Sequence, residues 1–208
     1  ESLLALERDA LNLDILSRMS TLERASGDME AAIDYARRYK EQRPEDIEAH
    51  LQLGDLLRDN GALDMAEEFY KQAQVLQNTP VRPTLKLAII SARKGDLNAA
   101  RDYISEAEAF AKRPVEKTHV QLSAAGLELR LGRIQEAIRH IYAQKEFLGQ
   151  SSGLLDLTIS VYTPLIDLYI LLGDTESAKQ ALETAKGMLS PPVDKFLAFS
   201  EASIHANE

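Results

Sequence analysis

The chain has 208 residues, of which 45% are apolar and 27% charged, fractions that are ordinary for a soluble globular protein. Its 24 Lys and Arg against 33 Asp and Glu give a net charge of −9, which argues against a general affinity for nucleic acid or for anionic membranes. The lack of cysteine excludes disulfides and cysteine metal sites but leaves the compartment open. We expect a cytoplasmic protein, with a periplasmic one as the alternative. Because the sequence begins with Glu1 rather than Met, we also expect a fragment of a longer polypeptide.

One short stretch recurs five times, beginning with glycine and reaching an alanine five residues later. The glycines, at intervals of 34, 34, 37 and 41, and their alanines are Gly27, Gly61, Gly95, Gly132, Gly173, Ala32, Ala66, Ala100, Ala137 and Ala178. Glycine adopts positive φ at the end of a helix, and the Asp or Asn that often follows can cap the next one. A small alanine lets two antiparallel helices approach closely. The spacing therefore predicts an array of helical hairpins.

In chain order, an apolar pattern of helical period predicts a first helix over residues 1–26, which Gly27 ends. The second helix is predicted from Asp28 to Gln42, and Pro44 stops it. These two helices complete the first hairpin.

The next unit, 47–80, shows the pattern most clearly. Its small, apolar and aromatic residues stand at fixed positions, namely Leu53, Gly54, Ala66, Tyr70 and Ala73. In these residues the chain resembles the tetratricopeptide repeat, a helix-turn-helix family with a period of 34 residues. His50 departs from the pattern, since the family usually has a large aromatic residue there. The resemblance implies an all-α, right-handed α-solenoid of antiparallel hairpins, in which the first helix of each unit lines a concave groove.

Carried along the chain, the resemblance predicts five units. Their ranges are 13–46, 47–80, 81–114, 115–151 and 152–192, after a helical extension over 1–12 and before a capping helix over 193–208. The wider glycine spacing implies extra turns in the first helices of the last two units.

The stretch 154–172 is almost wholly apolar over a length that approaches a membrane span. Asp156, Pro164 and Asp167 argue against insertion, because a charged residue in the bilayer centre costs about 2.5–3.5 kcal/mol. We therefore predict a helix buried between its neighbours. Pro164 either kinks that helix or begins a second one with Thr163 as its cap.

The search for catalytic and metal-binding patterns favours structural interpretations. Residues 149–153 match the Gly-x-Ser-x-Gly hydrolase pattern, but a helix rather than a strand is predicted before them, so we interpret them as a loop. The four histidines lack metal-ligand spacing: His50, His119, His140 and His205. We predict no enzyme, catalytic residue, metal or cofactor.

The groove positions implied by the resemblance supply the candidate binding residues: Gln52, Arg58, Arg82, Lys86, Ile89, Arg93, Leu122 and Arg130. The four from Arg82 to Arg93 fall within about 60° on one helix and form a basic stripe. Such a stripe suits an acidic peptide with a hydrophobic anchor, since arginine grips a carboxylate through two hydrogen bonds. In the alternative, the basic side chains keep the wall soluble and pair with Glu48 or Asp55.

Chaperone-binding members of the family hold a carboxylate with Lys, Asn and Arg at five groove positions. Here those positions hold Ser17, Thr21, Gln52, Arg82 and Lys86. Only the last two fit, which argues against binding of a chaperone tail.

We therefore predict a non-catalytic scaffold or adaptor that binds a protein or peptide segment in its groove, without nucleic acid or membrane insertion. Substituting Lys86→Glu and Arg93→Glu is expected to weaken this binding without unfolding the domain. The first alternative is a regulatory or sensory segment of a larger signalling or transcription protein. The second is a structural module that forms homo-oligomers through its terminal helices, with Leu3, Leu4, Leu6, Phe196 and Phe199 as contact residues.

Overall fold

The structure is a computed structural model that describes residues 13–142, 155–188 and 198–205. The chain divides into two compact units, Glu1–Phe110 and Ala111–Glu208. In the described ranges, which include all five glycine corners, every regular element is a helix. The predicted all-α class is therefore confirmed.

The described part of the first unit contains three helical hairpins. Its helices are α1 Leu13–Ser26, α2 Met29–Gln42, α3 Ile47–Asp59, α4 Leu63–Val75, α5 Val81–Arg93 and α6 Leu97–Phe110. The hairpins α1–α2, α3–α4 and α5–α6 stack on one another where α2 meets α3 and α4 meets α5. The predicted extension over 1–12 lies outside the described residues.

The described part of the second unit contains two hairpins and one further helix. Its helices are α7 Pro114–Arg130, α8 Ile134–Tyr142, α9 Leu155–Leu171, α10 Thr175–Met188 and α11 Ala198–His205. The hairpins are α7–α8 and α9–α10, and α11 packs against both α9 and α10. Helices α7 and α9 have 17 residues each, against 13 in α3 and α5, which agrees with the extra turns expected from the sequence. The loop predicted at 149–153 lies outside the described residues.

Helix α9 shows how the long apolar stretch is used. It runs through Pro164 without a break, so the idea that Thr163 caps a new helix there is wrong. Its side chains Val161, Leu165 and Ile166 lie in the core of the second unit. None of the described helices has the length and apolar character that a membrane span requires. The interpretation as a buried helix is confirmed.

The five corners have the backbone geometry that their glycines predict. All five glycines have positive φ, between 73° and 92°. At Gly61 the glycine N–H donates to the Arg58 carbonyl at 3.1 Å and the Ala62 N–H donates to the Leu57 carbonyl at 2.8 Å, which satisfies the last carbonyls of α3. Aspartate caps the following helix at three corners, by accepting the N–H three residues on, and these caps are Asp28, Asp96 and Asp174.

The alanine after each corner lies in the first turn of the second helix of its hairpin. The five alanines of the recurring stretch are at most 1% exposed. A larger side chain in their place would push the paired helices apart, because protein interiors are packed without spare volume. This repeated close approach sets the spacing between the first and second helix of each hairpin.

Gly54 lets α3 and α4 approach closely in the same way. A Cβ atom on Gly54 would lie 2.5 Å from Cε1 and 2.9 Å from Cδ1 of Tyr70. The Tyr70 ring is fully buried, and its hydroxyl donates to Asp55 at 2.7 Å, so the ring has little freedom to move away. Gly54 is therefore needed for its small size.

Substitution Gly54→Ala is expected to destabilise the first unit. Alanine gains about 1 kcal/mol of helix propensity, but overpacking against Tyr70 costs about 1–3 kcal/mol and exceeds it. The matched control is Gly126→Ala in α7, where a Cβ would meet nothing within 4 Å and the change is expected to stabilise. Urea unfolding followed by circular dichroism measures both. A Gly54→Ala protein as stable as Gly126→Ala would contradict the packing argument.

Candidate functional site

The first helices of the three hairpins in the first unit present one surface, which we call the first-helix face. It comprises the side chains Ser17, Ser20, Thr21, Arg24, Glu48, Gln52, Asp55, Arg58, Asp59, Arg82, Lys86, Ile89 and Arg93. On α3 the residues Glu48, Gln52, Asp55 and Asp59 fall within about 60° at 100° per residue, so they form one stripe. Six of the eight candidate groove residues lie on this face.

Contacts across the first-helix face join residues about one repeat apart. Each of the following pairs is separated by 31 to 35 residues: Ser17–Gln52, Arg24–Asp59, Glu48–Arg82, Asp55–Lys86 and the Arg58 carbonyl with Arg93. The sequence period therefore places the partners opposite each other. These contacts join α1 to α3 and α3 to α5.

Asp55 is the hydrogen-bonding centre of this face. Its two carboxylate oxygens accept from Lys86 Nζ at 2.8 Å each, and Oδ1 also accepts from Arg58 Nη1 at 2.8 Å and from the Tyr70 hydroxyl at 2.7 Å. Burial raises the pKa of Asp55, but Lys86, the Tyr70 hydroxyl and Arg58 together hold the pKa below its usual value. Burial and the bond to Asp55 raise the pKa of Tyr70. Asp55 is therefore ionised and has its acceptors occupied.

Three further ion pairs neutralise most of the remaining charge. The Arg82 guanidinium donates to both oxygens of Glu48, at 2.9 and 3.3 Å, and Asp59 accepts from Arg24 at 2.6 Å and from Arg58 at 2.8 Å. The Arg82 and Glu48 side chains are 55% and 59% exposed, so their pair contributes less than about 1 kcal/mol to stability. The alternative raised from the sequence, in which the basic residues pair with Glu48 and Asp55, is the arrangement found.

Arg93 and Ile89 differ from the rest of the stripe. Arg93 donates to the Arg58 carbonyl at 3.2 Å and, in the described part of the chain, has no carboxylate within ion-pair distance. Ile89 lies one turn earlier on the same helix and is 37% exposed. This end of α5 therefore offers a guanidinium next to an exposed apolar side chain.

A polar cavity of about 270 Å³ opens between α1 and α3. Its described lining residues are Ser17, Ser20, Thr21, Arg24, Glu48, Gln52, Asp55 and Leu56. The lining carboxylates already accept hydrogen bonds, whereas the fully buried Ser20 hydroxyl has no partner among the described residues. Gln52 uses one of its two amide hydrogens on the Ser17 carbonyl, at 3.3 Å. The donors left over suit a ligand that presents hydrogen-bond acceptors.

The structure places the other candidates elsewhere. Leu122 and Arg130 lie on α7 in the second unit, where Leu122 packs against the core and Arg130 is exposed.

Sequence reasoning missed Ser20, although a serine at a buried helical position is a signal that could have identified it. It also counted Lys86 among the partner-binding cations, but Lys86 is paired with Asp55, so Lys86→Glu would place a second carboxylate against Asp55. The double substitution with Arg93→Glu is therefore not expected to leave the fold intact.

The described residues include no group of three metal-binding side chains. The hydroxyl, amide and guanidinium groups of the first-helix face can bind through hydrogen bonds and charge. A protein surface of this chemistry recognises carbonyl and carboxylate oxygens.

Comparisons with known proteins agree with this geometry. The tetratricopeptide repeat family matches residues 47–78, which contain α3 and α4. No curated protein sequence matches the chain.

Solved structures extend the likeness over most of the chain. A tetratricopeptide repeat protein from Parabacteroides merdae ATCC 43184 is 16% identical, with 99% of this chain and 81% of that chain covered and a TM-score of 0.63. A thermophilic protein of the same kind from Thermus thermophilus is 18% identical, with 93% and 99% covered and a TM-score of 0.67. BtubC from P. vanneervenii is 17% identical, with 90% and 85% covered and a TM-score of 0.64. At these identities the likeness establishes the fold.

Asp55→Asn is expected to destabilise the protein by about 1–3 kcal/mol at pH 7, because Lys86 and the Tyr70 hydroxyl lose a charged acceptor. Since the folded-state pKa of Asp55 is lowered from 3.8, its ionised form stabilises the fold above that pH, and this contribution is lost as the pH falls through the lowered pKa. The difference between wild type and variant should therefore shrink below about pH 4.

Urea unfolding at a series of pH values measures this difference. The control is Asp64→Asn, which removes an exposed carboxylate paired with Lys94 and should cost less than about 1 kcal/mol. An Asp55→Asn effect that stays constant down to about pH 2 would show that the carboxylate charge is not what stabilises the face.

Proposed function

Because this chain contains a tetratricopeptide repeat and has the fold of tetratricopeptide-repeat proteins, we propose that it binds a segment of another protein across the first-helix face of its first unit. The fold is that of protein-interaction scaffolds in general. The binding segment, its chemistry and its position on this face are our proposal. We propose no catalytic step.

The observation that carries this proposal is the pair Arg93 and Ile89. Arg93 retains N–H donors that no carboxylate in the described residues occupies, and Ile89 exposes an apolar side chain one turn away. A partner side chain that packs on Ile89 and a carboxylate that binds Arg93 would use both groups. The sequence predicted an acidic peptide as the partner. The structure supports a more specific proposal, in which the partner needs only one carboxylate, next to Arg93.

The polar cavity supports an extended segment as the partner. Its available donors, on Ser20, Gln52 and Arg24, match acceptors such as main-chain carbonyl oxygens. The cations Lys86 and Arg82 are already paired, so they contribute local charge rather than free donors. The proposed partner therefore combines an apolar anchor, one carboxylate and a hydrogen-bonding backbone.

The other predictions from the sequence stay predictions. Self-association was assigned to residues whose side chains lie outside the described set, namely Leu3, Leu4, Leu6, Phe196 and Phe199. A cytoplasmic location also remains our proposal.

Photo-crosslinking tests the proposed face. In one variant a benzophenone amino acid replaces Ile89. In the control variant it replaces Met65, which is similarly exposed but lies on α4, the second helix of its hairpin. We expect the Ile89 probe to crosslink a specific protein in native extract and Arg93→Glu to reduce this about tenfold, since a charge-assisted hydrogen bond contributes about 1.5–3 kcal/mol. Identical products from both positions, unaffected by Arg93→Glu, would contradict the proposal.

A further inference from the structure

A second, larger cavity lies on the other side of α3. It has a volume of about 510 Å³, and its described lining residues come from the end of α2 and the loop after it, from α3 and from the end of α4: Lys40, Pro44, His50, Lys71, Gln72, Val75 and Leu76. On α3, His50 is about 170° away from the stripe of Glu48, Gln52, Asp55 and Asp59. This cavity is therefore separate from the first-helix face, and the inference does not rest on the proposed function.

His50 forms a fixed part of the cavity wall. The residue is 3% exposed, and its Nε2 lies 2.7 Å from the Pro44 carbonyl oxygen, so Nε2 carries the hydrogen and donates it. The buried Nδ1 then remains an acceptor, and it has no partner in the described residues. A larger aromatic ring at this position would fill part of the space that the imidazole leaves.

Apolar surface continues from the cavity toward solvent. Val75, which lines it, is 86% exposed and is the most exposed large apolar side chain among the described residues. Leu76 and Pro44 add further apolar wall. An opening of this kind suits a side chain that enters from an extended segment outside.

The charges at the rim are basic. Lys40 Nζ lies 5.8 Å from the centre of the Phe69 ring and forms no ion pair within the described residues, whereas Lys71 pairs with Glu67 at 2.6 Å. None of the described lining residues is acidic. In a chain with a net charge of −9, this is an apolar cavity with an uncompensated positive charge at its edge.

We propose that this cavity is a docking site for a protein segment that inserts a large apolar side chain and places a carboxylate next to it, against Lys40. The cavity volume lies within the range of roughly 300–1,000 Å³ that binding pockets occupy. The apolar wall receives the side chain, and Lys40, held over the Phe69 ring, faces the carboxylate.

The test is a titration of the whole ¹⁵N-labelled chain followed by NMR. Three blocked peptides serve as probes: acetyl-Gly-Phe-Glu-Gly-amide, its Phe-Gln analogue and its Ala-Glu analogue. We expect the Phe-Glu peptide to shift the amide signals of His50, Gln72 and Leu76 saturably. Each analogue should bind at least about threefold more weakly than the Phe-Glu peptide. Free 3-phenylpropionate is the small-molecule probe and should bind no more tightly than the peptide.

Three variants make the test specific. Lys40→Gln should remove the preference for Phe-Glu over Phe-Gln, whereas Arg38→Gln, the same change on the opposite side of α2, should keep it. His50→Trp should block all three peptides by filling the cavity. Lys40 is on the surface, so its readout stands even if His50→Trp fails to fold.

Four outcomes would overturn the proposal. They are no shifts at these amides up to about 10 mM peptide, equal binding of the three peptides, tighter binding of 3-phenylpropionate, and shifts of the same signals with protein concentration alone. Tighter binding of 3-phenylpropionate would indicate a small-molecule site. Shifts with protein concentration alone would indicate a contact between copies of the chain. Each is independent of crosslinking at Ile89, so failure here leaves the proposed function untouched.

Discussion

The structure of the first unit depends on the close approach of paired helices at each corner. A glycine with positive φ ends one helix and an alanine that is almost fully buried begins the contact with the next. Repeating this corner at a spacing of 34 residues brings the first helices of neighbouring hairpins side by side. Residues about one repeat apart then meet, which is why Arg24 reaches Asp59 and Lys86 reaches Asp55.

This register gives the charges of the first-helix face a structural role. Asp55 connects α3 to α5 through Lys86 and to α4 through the Tyr70 hydroxyl, while the neighbouring Gly54 lets the Tyr70 ring lie against α3. A buried ring, a partly buried carboxylate and a lysine are therefore interdependent. A partner that binds across this face, as we propose, would use the groups that remain, which are Arg93, Ile89 and the donors of the polar cavity. The ion pairs can thus hold the stacked helices together while these groups stay available.

The corners were predictable from the sequence because their chemistry is local. The sequence immediately around Gly61 is enough to predict a helix end, and the sequence around Ala66 is enough to predict a close contact between helices. The burial of α9 was also predictable, since Asp167 and Pro164 make a membrane span unfavourable. The sequence did not decide whether Arg82 and Lys86 bind a partner or pair with Glu48 and Asp55. Spacing places the two cations on one stripe of α5, but only the structure shows that these carboxylates of α3 lie opposite them.

The two cavities were harder to predict from the sequence than the corners. Ser20 gave no signal beyond being a polar residue in an apolar pattern. His50 was visible as a departure from the repeat pattern, yet the space beside it depends on the ends of α2 and α4, which only the folded chain brings together. The continuation of α9 through Pro164 likewise depends on packing in the second unit, since proline by itself favours a helix break.

A double-mutant cycle of Asp55→Asn and Lys86→Gln in urea unfolding tests the central claim most directly, because the two residues are on different hairpins. The account predicts a coupling of about 1–2 kcal/mol between them, as expected for partly buried groups in direct contact. Additive effects, with a coupling near zero, would show that the stacked hairpins do not bring these charges together and would contradict the account.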